Sequence, residues 1–131
     1  MQEPQRIENL LDTQEKKLAF FQNLILIAAA DGRLDSNESQ FIINIGNRLG
    51  LAPDEVMHLA DRLPQLSFVI PREGLQKTLE LQTLVMMMLE DGRVHDREYA
   101  LCLQYTERVG YSKAFLDEMI GQFTNSARSA G

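Results

Sequence analysis

An eight-residue stretch occurs twice in this chain of 131 residues, at an offset of 60 positions and without a gap. Residues 31–38 read Asp-Gly-Arg-Leu-Asp-Ser-Asn-Glu, and residues 91–98 read Asp-Gly-Arg-Val-His-Asp-Arg-Glu. Each copy follows an apolar run and leads to an Arg-apolar-Gly ending, at residues 48–50 and 108–110. When residues 13–63 are compared with residues 73–123, nine positions are identical. A repeat in one order and register indicates an internal duplication.

Each half of the repeat predicts three helices. In the first half, a capped start at residues 12–15 opens an apolar helix, a second helix spans about residues 36–49, and Pro53 begins a third. In the second half, helices are expected at about residues 71–89, at about 96–109 and from Ser112 onward, with Leu75 and Met86 in the core. Residues 64–71 read as an extended or single-turn connector whose apolar residues pack inward, and residues 124–131 as a frayed tail.

These elements predict an all-α fold. We expect a compact helical bundle of about six to seven helices, built from two pseudo-symmetric three-helix repeats at about residues 13–63 and 73–123. The length suits one core and is too short for two independent ones, so residues 1–131 are expected to form a single domain.

Composition limits the partners and the compartment. The formal net charge of -6 and the pI of about 4.9 make the average surface repel phosphate backbones, so nucleic acid is not expected as a partner. The single cysteine, Cys102, cannot form an internal disulfide, which fits a reducing compartment. The sequence shows no secretory pattern at residues 1–15 and no apolar run of about 20 residues. We therefore expect a soluble, cytoplasmic protein without a transmembrane segment.

The repeated stretch matches only half of an EF-hand calcium loop. In that loop Asp-Gly would stand at the fifth and sixth positions, and Glu at the twelfth. The first and third positions, which need oxygen ligands, would be Ile27 and Ala29 in the first copy, and Met87 and Leu89 in the second. Apolar side chains cannot coordinate a hard cation, so a standard EF-hand is excluded in both copies.

Helix capping explains part of the stretch without any ligand. Asp35 would cap a helix, and Glu38 would complete a capping box. In the second copy His95 replaces Asp35, so we expect Asp96 to be the cap, which leaves Glu98 one position early. The first aspartate of each copy is poorly explained, because a carboxylate at a helix C-terminus opposes the macrodipole. Three interpretations stay open: caps and salt bridges alone, a weak divalent-cation site, or a protein-docking surface.

At these residues the chain resembles the TerB-like domain family, which includes the tellurite-resistance protein TerB and a domain of the membrane-anchored DjlA co-chaperones. The resemblance rests on the run of residues 24–30 into Asp-Gly-Arg at 31–33, on Glu38 and on Gly50, with a weaker echo at residues 86–92. It covers about residues 15–122. It implies a helical bundle from a pseudo-symmetric pair, a link to stress responses that include tellurium-ion resistance, and acidic surface clusters as sites for metal ions.

Carried onto this sequence, the resemblance implies six candidate metal ligands: Asp31, Asp35, Glu38, Asp91, Asp96 and Glu98. Three alanines precede the first cluster, whereas Met-Leu-Glu precedes the second, so the two clusters are not expected to work alike. No cofactor is required by the pattern, and a divalent cation such as calcium is the open alternative. The membrane-anchored members of the family add peripheral association with a membrane complex as an option.

No catalytic or cofactor-binding residue is expected. His58 and His95 lack a cysteine or a second histidine at zinc-ligand spacing, and the chain has neither a nucleophile elbow nor a phosphate-binding glycine loop. We therefore predict that the protein is not an enzyme. The leading interpretation is a TerB-like stress-response module of the tellurite-resistance type, which binds a protein partner or complex and is modulated by a divalent metal at its Asp-Gly loops. The alternative is a divalent metal-ion binding or sequestering protein, and a hydrolase-type enzyme ranks third.

Isothermal titration with calcium, magnesium, zinc and manganese tests the metal interpretation. If the metal interpretation is correct, the wild-type protein gives heat of binding, and a variant that combines Asp31→Asn with Glu38→Gln gives a smaller heat. Both substitutions remove a charged oxygen ligand while keeping the volume of the side chain. Silence for all four ions would remove the metal interpretation, and an unchanged signal in the double variant would place the binding elsewhere.

Overall fold

The computed structural model describes residues 10–30, 36–62, 65–90, 92 and 94–130, except for the side chains of residues 36, 38, 60 and 125–130. Over these residues the chain forms six α-helices and no β-strand, so the all-α prediction is confirmed. The helices are α1 (Gln14–Ala28), α2 (Ser36–Leu49), α3 (Pro53–Asp61), α4 (Gly74–Met88), α5 (Asp96–Arg108) and α6 (Lys113–Ala130). Within the described ranges, none of them has the length and apolar character needed to cross a membrane.

The helices of the two halves begin at the same offset as the sequence repeat. Their first residues are at positions 14 and 74, 36 and 96, and 53 and 113, which are 60 apart in every pair. The halves differ at their ends, because α3 has 9 residues and α6 has 18. The frayed tail predicted after residue 123 is wrong over the described residues, which continue α6 to Ala130. Pro64 follows α3 and cannot continue a helix, whereas residues 122–130 contain neither proline nor glycine.

The two first helices of the halves, α1 and α4, form the centre of the bundle. Their buried positions correspond one to one at the offset of 60. In α1 they are Phe20, Phe21, Asn23, Leu24, Ile25, Ile27 and Ala28, and in α4 they are Glu80, Leu81, Thr83, Leu84, Val85, Met87 and Met88, with Gln76 in addition. Both helices are therefore surrounded on most sides, as their long apolar runs require.

Two residues of α4 that were expected in the core are exposed. Leu75 is 49% exposed and Met86 is 46% exposed, whereas Met87 and Met88 are fully buried. Leu75 and Met86 lie 11 positions apart, which is about three helical turns, so both are on the same side of α4. The prediction for these two residues is wrong because α4 carries more apolar residues than its neighbours cover.

The connector between the halves runs along α1 toward the start of that helix. Gln22 donates a hydrogen bond to the carbonyl of Ser67, and two residues further on Val69 pairs with Asn23. Phe68 turns inward and packs edge-on against Tyr105, with 5.6 Å between the ring centroids. Over residues 66–71 the connector is extended, and Phe68 packs inward as predicted.

Residues at the start of α4, Glu73 and Gln76, line one cavity with Lys16 at the start of α1. Further along both helices Asn23 contacts Glu80, so the two central helices run in the same direction.

The second helix of each half ends in the same backbone turn. The N–H of Leu51 donates to the carbonyl of Gly46, and the N–H of Tyr111 donates to the carbonyl of Thr106, both over 3.0 Å. Between these groups the chain passes through a glycine with positive φ, +73° at Gly50 and +100° at Gly110. Glycine takes this conformation without the steric cost that a Cβ would add.

These two glycines predict a graded loss of stability. Gly50→Ala and Gly110→Ala should each lower the free energy of unfolding by about 1–2 kcal/mol, the cost of the left-handed conformation for a residue with a Cβ. Gly110→Ala should be the worse of the two, because its φ of +100° is further from the left-handed minimum near +57°. Urea unfolding followed by circular dichroism measures both.

The matched control is Gly74→Ala at the first position of α4, where φ is not positive and a Cβ would meet open space. This substitution should be neutral or stabilising by up to about 1 kcal/mol, since it restricts the unfolded chain. If Gly74→Ala were as costly as the other two, the positive φ would not be the cause.

Candidate functional site

The side chains of two of the six candidate metal ligands are described. Asp96 is exposed in the first turn of α5, and Glu98 is buried there, with 1% of its surface exposed. Of the others, Asp31, Asp35 and Asp91 lie outside the described residues, and Glu38 lies in α2 with an undescribed side chain. Among the side chains that are described, no three Asp, Glu, His or Cys residues are grouped so that they could hold a metal ion.

The start of α5 differs from the predicted cap. His95 is the N-cap, with an extended backbone at φ −80° and ψ 146° and without a side-chain capping bond, so the prediction of Asp96 as the cap is wrong. Asp96 already has helical geometry, which makes Glu98 the third residue of α5. Glu38 is likewise the third residue of α2. The two glutamates therefore occupy the same helical position, which is the partner position of a capping box.

An apolar groove lies between α2 and α3, and we call it the α2–α3 groove. It has a volume of about 250 Å³, with Ile43 and Gly46 on one side, Val56 and Met57 on the other and Leu51 at the turn between them. Ile43 is 53% exposed and Met57 is 65% exposed. A large exposed methionine beside an exposed isoleucine is an apolar patch that the fold itself leaves uncovered.

The second half carries a charged residue and an aromatic pair at the corresponding positions. Asp117 takes the place of Met57, and it accepts hydrogen bonds from Lys113 over 2.6 Å and from the hydroxyl of Tyr99. Tyr111 takes the place of Leu51 and lies against Phe115, with 4.6 Å between the ring centroids. The apolar groove is thus a property of the first half, although the helices of both halves begin at corresponding positions.

A buried polar cluster links the connector to both central helices. The side-chain amide of Asn23 donates to the carbonyl of Val69, and its carbonyl oxygen accepts from the N–H of Val69, both over 2.9 Å. The same amide donates to Oε1 of Glu80 over 3.4 Å. Asn23 therefore satisfies a backbone segment that has no regular secondary structure, as buried N–H and C=O groups require.

Glu80 is the acceptor at the centre of this cluster. It is 2% exposed, and it also accepts hydrogen bonds from Gln76 over 2.8 Å and from the hydroxyl of Tyr105 over 3.1 Å. Burial raises the pKa of Glu80, because it disfavours the charged form, and the three donors act in the opposite direction. The sequence analysis missed Glu80. The signal in the sequence was that Glu80 occupies, in the second half, the position that the apolar residue Phe20 occupies in the first half.

Cys102 lies in the core of the bundle. Burial raises the pKa of its thiol to about 12, so the thiol stays protonated at neutral pH. A protonated, fully buried thiol is a poor nucleophile and a poor metal ligand. Cys102 therefore acts as a small core side chain.

Comparison with known proteins gives one family. The family described as tellurite resistance protein TerB matches residues 1–61, a range that ends where α3 ends. No curated protein sequence and no solved structure matches the chain. The match lies in the half that carries the α2–α3 groove and the first acidic stretch.

The pH dependence of stability should show the buried carboxyl of Glu80. Its pKa is raised above the ordinary value of 4.5, so the folded protein binds more protons than the unfolded chain between pH 4.5 and that raised value. Its contribution to stability is therefore fully present below pH 4.5 and is lost as the pH rises through the raised pKa. The difference in unfolding free energy between wild type and Glu80→Gln should fall as the pH rises.

Urea unfolding at a series of pH values measures this difference. The control Glu118→Gln makes the same substitution at an exposed residue of α6, outside the buried cluster. A difference for Glu80→Gln that stays flat or rises with pH would contradict the raised pKa.

Proposed function

We propose that this chain works as a non-enzymatic protein-interaction module of the tellurite-resistance type. The proposal starts from the match of residues 1–61 to the TerB family. In this proposal the α2–α3 groove receives the apolar side chains of an amphipathic helix from a partner protein. The exposure of Met57 and Ile43 on the two sides of the groove is the observation that carries the proposal. The second half has the charged residue Asp117 at the position of Met57, so it does not present the same apolar surface.

The size of the groove favours a protein ligand. Pockets for small molecules are commonly about 300–1,000 Å³. The α2–α3 groove, at about 250 Å³, is smaller and open, and it suits a few apolar anchor residues presented at helical spacing. Deeply inserted anchors of this kind carry most of the binding energy in protein interfaces.

The charges around the groove indicate the chemistry of the partner. Asp54 and Asp61 are exposed on α3, three positions before Met57 and four positions after it, so both neighbour Met57 on the helix surface. The whole chain has a net charge of -6. A partner helix with lysine or arginine beside its apolar anchors would match this surface, and the charges would mainly increase the rate of association.

A second candidate function is divalent-cation binding at the acidic stretches, as an accessory to partner binding or as the main role. The direction of the central helices favours it. Since α1 and α4 start side by side and run the same way, Ala28 and Met88 end them toward the same side of the bundle. The two acidic stretches begin three residues after those ends. The titration with four metal ions described above tests this candidate.

A synthetic helix of leucine and lysine, with leucine on one face, tests the docking proposal. We expect the amide resonances of α2 and α3 to shift on addition of this peptide, and Met57→Asp to weaken binding about tenfold or more, as loss of a central anchor does. The substitution also adds a negative charge. If attraction between charges alone held the cationic peptide, Met57→Asp would strengthen the binding instead.

The matched control is Leu75→Asp, which changes the charge equally at an apolar residue of similar exposure outside the groove. This variant should bind as the wild type does. Equal weakening by both substitutions would contradict docking at the groove. Self-association of the free protein that Met57→Asp abolishes would also contradict it, since a second copy would then occupy the groove.

A further inference from the structure

A second cavity lies at the start of the central helices α1 and α4, between their first turns and the connector. Its volume is about 420 Å³, which is in the range of small-molecule sites. Ala19 and the connector residues Val69, Ile70 and Pro71 give it an apolar wall. Glu80 and Gln76 line it as its two buried polar side chains. The cavity is thus a partly open pocket with one apolar wall and a buried carboxyl group.

Within the part of the chain that the structure describes, the hydrogen-bond donors around Glu80 bring no positive charge. All three groups that donate hydrogen bonds to it, from Asn23, Gln76 and Tyr105, are neutral. A carboxylate offers about four acceptor positions, so three donors leave one of them for a further group. A buried carboxylate gains most from a donor that also brings a positive charge.

The entrance of the cavity carries charges of both signs. Glu15 and Glu73 stand there with Lys16 and Arg72. The ammonium of Lys16 is already paired with Asp12, at 3.0 Å, and that contact raises the pKa of Lys16. The entrance therefore gives no net preference for an anion, and the buried carboxyl group disfavours one.

We propose that this cavity binds a small organic cation, an alkylammonium ion whose charged group contacts Glu80. The alkyl chain lies against Ala19, Ile70 and Pro71, and the ammonium donates to the carboxylate. A metal ion fits this site less well, because no three described carboxylate, imidazole or thiol groups meet there. The site is separate from the α2–α3 groove and does not depend on partner binding.

Titration of the full chain with n-butylammonium chloride tests the proposal, followed by ¹H–¹⁵N correlation spectra at constant ionic strength. The neutral comparison is n-butanol, which has the same length. We expect saturable shifts at Ala19, Val69 and Gln76, and binding of the ammonium at least about tenfold tighter than binding of the alcohol, as a charge-assisted hydrogen bond requires. Glu80→Gln should abolish this preference.

Two further variants separate binding from folding. Ala19→Met fills the cavity while Glu80 stays in place, and it should also prevent binding. Glu118→Gln removes an exposed carboxylate outside the cavity and should leave binding unchanged. Equal affinity for the ammonium and the alcohol, unchanged binding in Glu80→Gln or Ala19→Met, or the lack of saturable shifts would each overturn the proposal.

Discussion

The structure depends on the pairing of α1 with α4. Both helices are apolar on most sides, and each large side chain that they bury is worth about 1.5–3 kcal/mol relative to exposure. Neither helix can satisfy this requirement alone, so the remaining helices must cover what the pair leaves open. Those outer helices need only one apolar face each, and their other faces are available for partners. The candidate sites are therefore found where this cover is incomplete, at the α2–α3 groove and at the start of the central pair.

Much of the fold could be predicted from the sequence because its signals are local. Helix starts are marked by caps such as Thr13 and Ser112, whose hydroxyls accept from the backbone N–H three residues later. The turns at Gly50 and Gly110 are marked by the residue type itself. The offset between the halves then placed all the helix starts in one register.

The sites could be predicted only in part, because they depend on contacts between distant residues. Periodicity shows which residues are apolar but not which of them remain uncovered, so it could not separate Leu75 and Met86 from the buried Met87. A glutamate in a helix is normally read as exposed, and Glu80 is buried only because Tyr105 and Asn23 come from other helices to meet it. The six acidic candidates came from the family resemblance, and Asp31, Asp35 and Asp91 lie outside the described residues.

The two halves show how one backbone can carry different chemistry. Their buried positions correspond, so the constraint that preserves the fold is shared by both. Exposed positions are free of that constraint. At one such position the first half has the apolar Met57, whereas the second half has Asp117, which pairs with Lys113. The family match over residues 1–61 falls on the half with the apolar version. Specialisation of one copy is expected when the other copy already supplies the packing.

The hydrogen bond from Asn23 to Glu80 has a consequence for assembly. It joins unlike halves, because a phenylalanine, Phe20, stands in the first half where Glu80 stands in the second. Two copies of the first half that paired with each other would offer Asn23 no carboxylate, and two copies of the second half would bring two carboxylates into one apolar interior. A buried polar contact of this kind contributes more to specificity, by disfavouring the pairing of two like halves, than to the stability of the fold. The Asn23–Glu80 contact therefore favours pairing of a first half with a second half over pairing of two like halves.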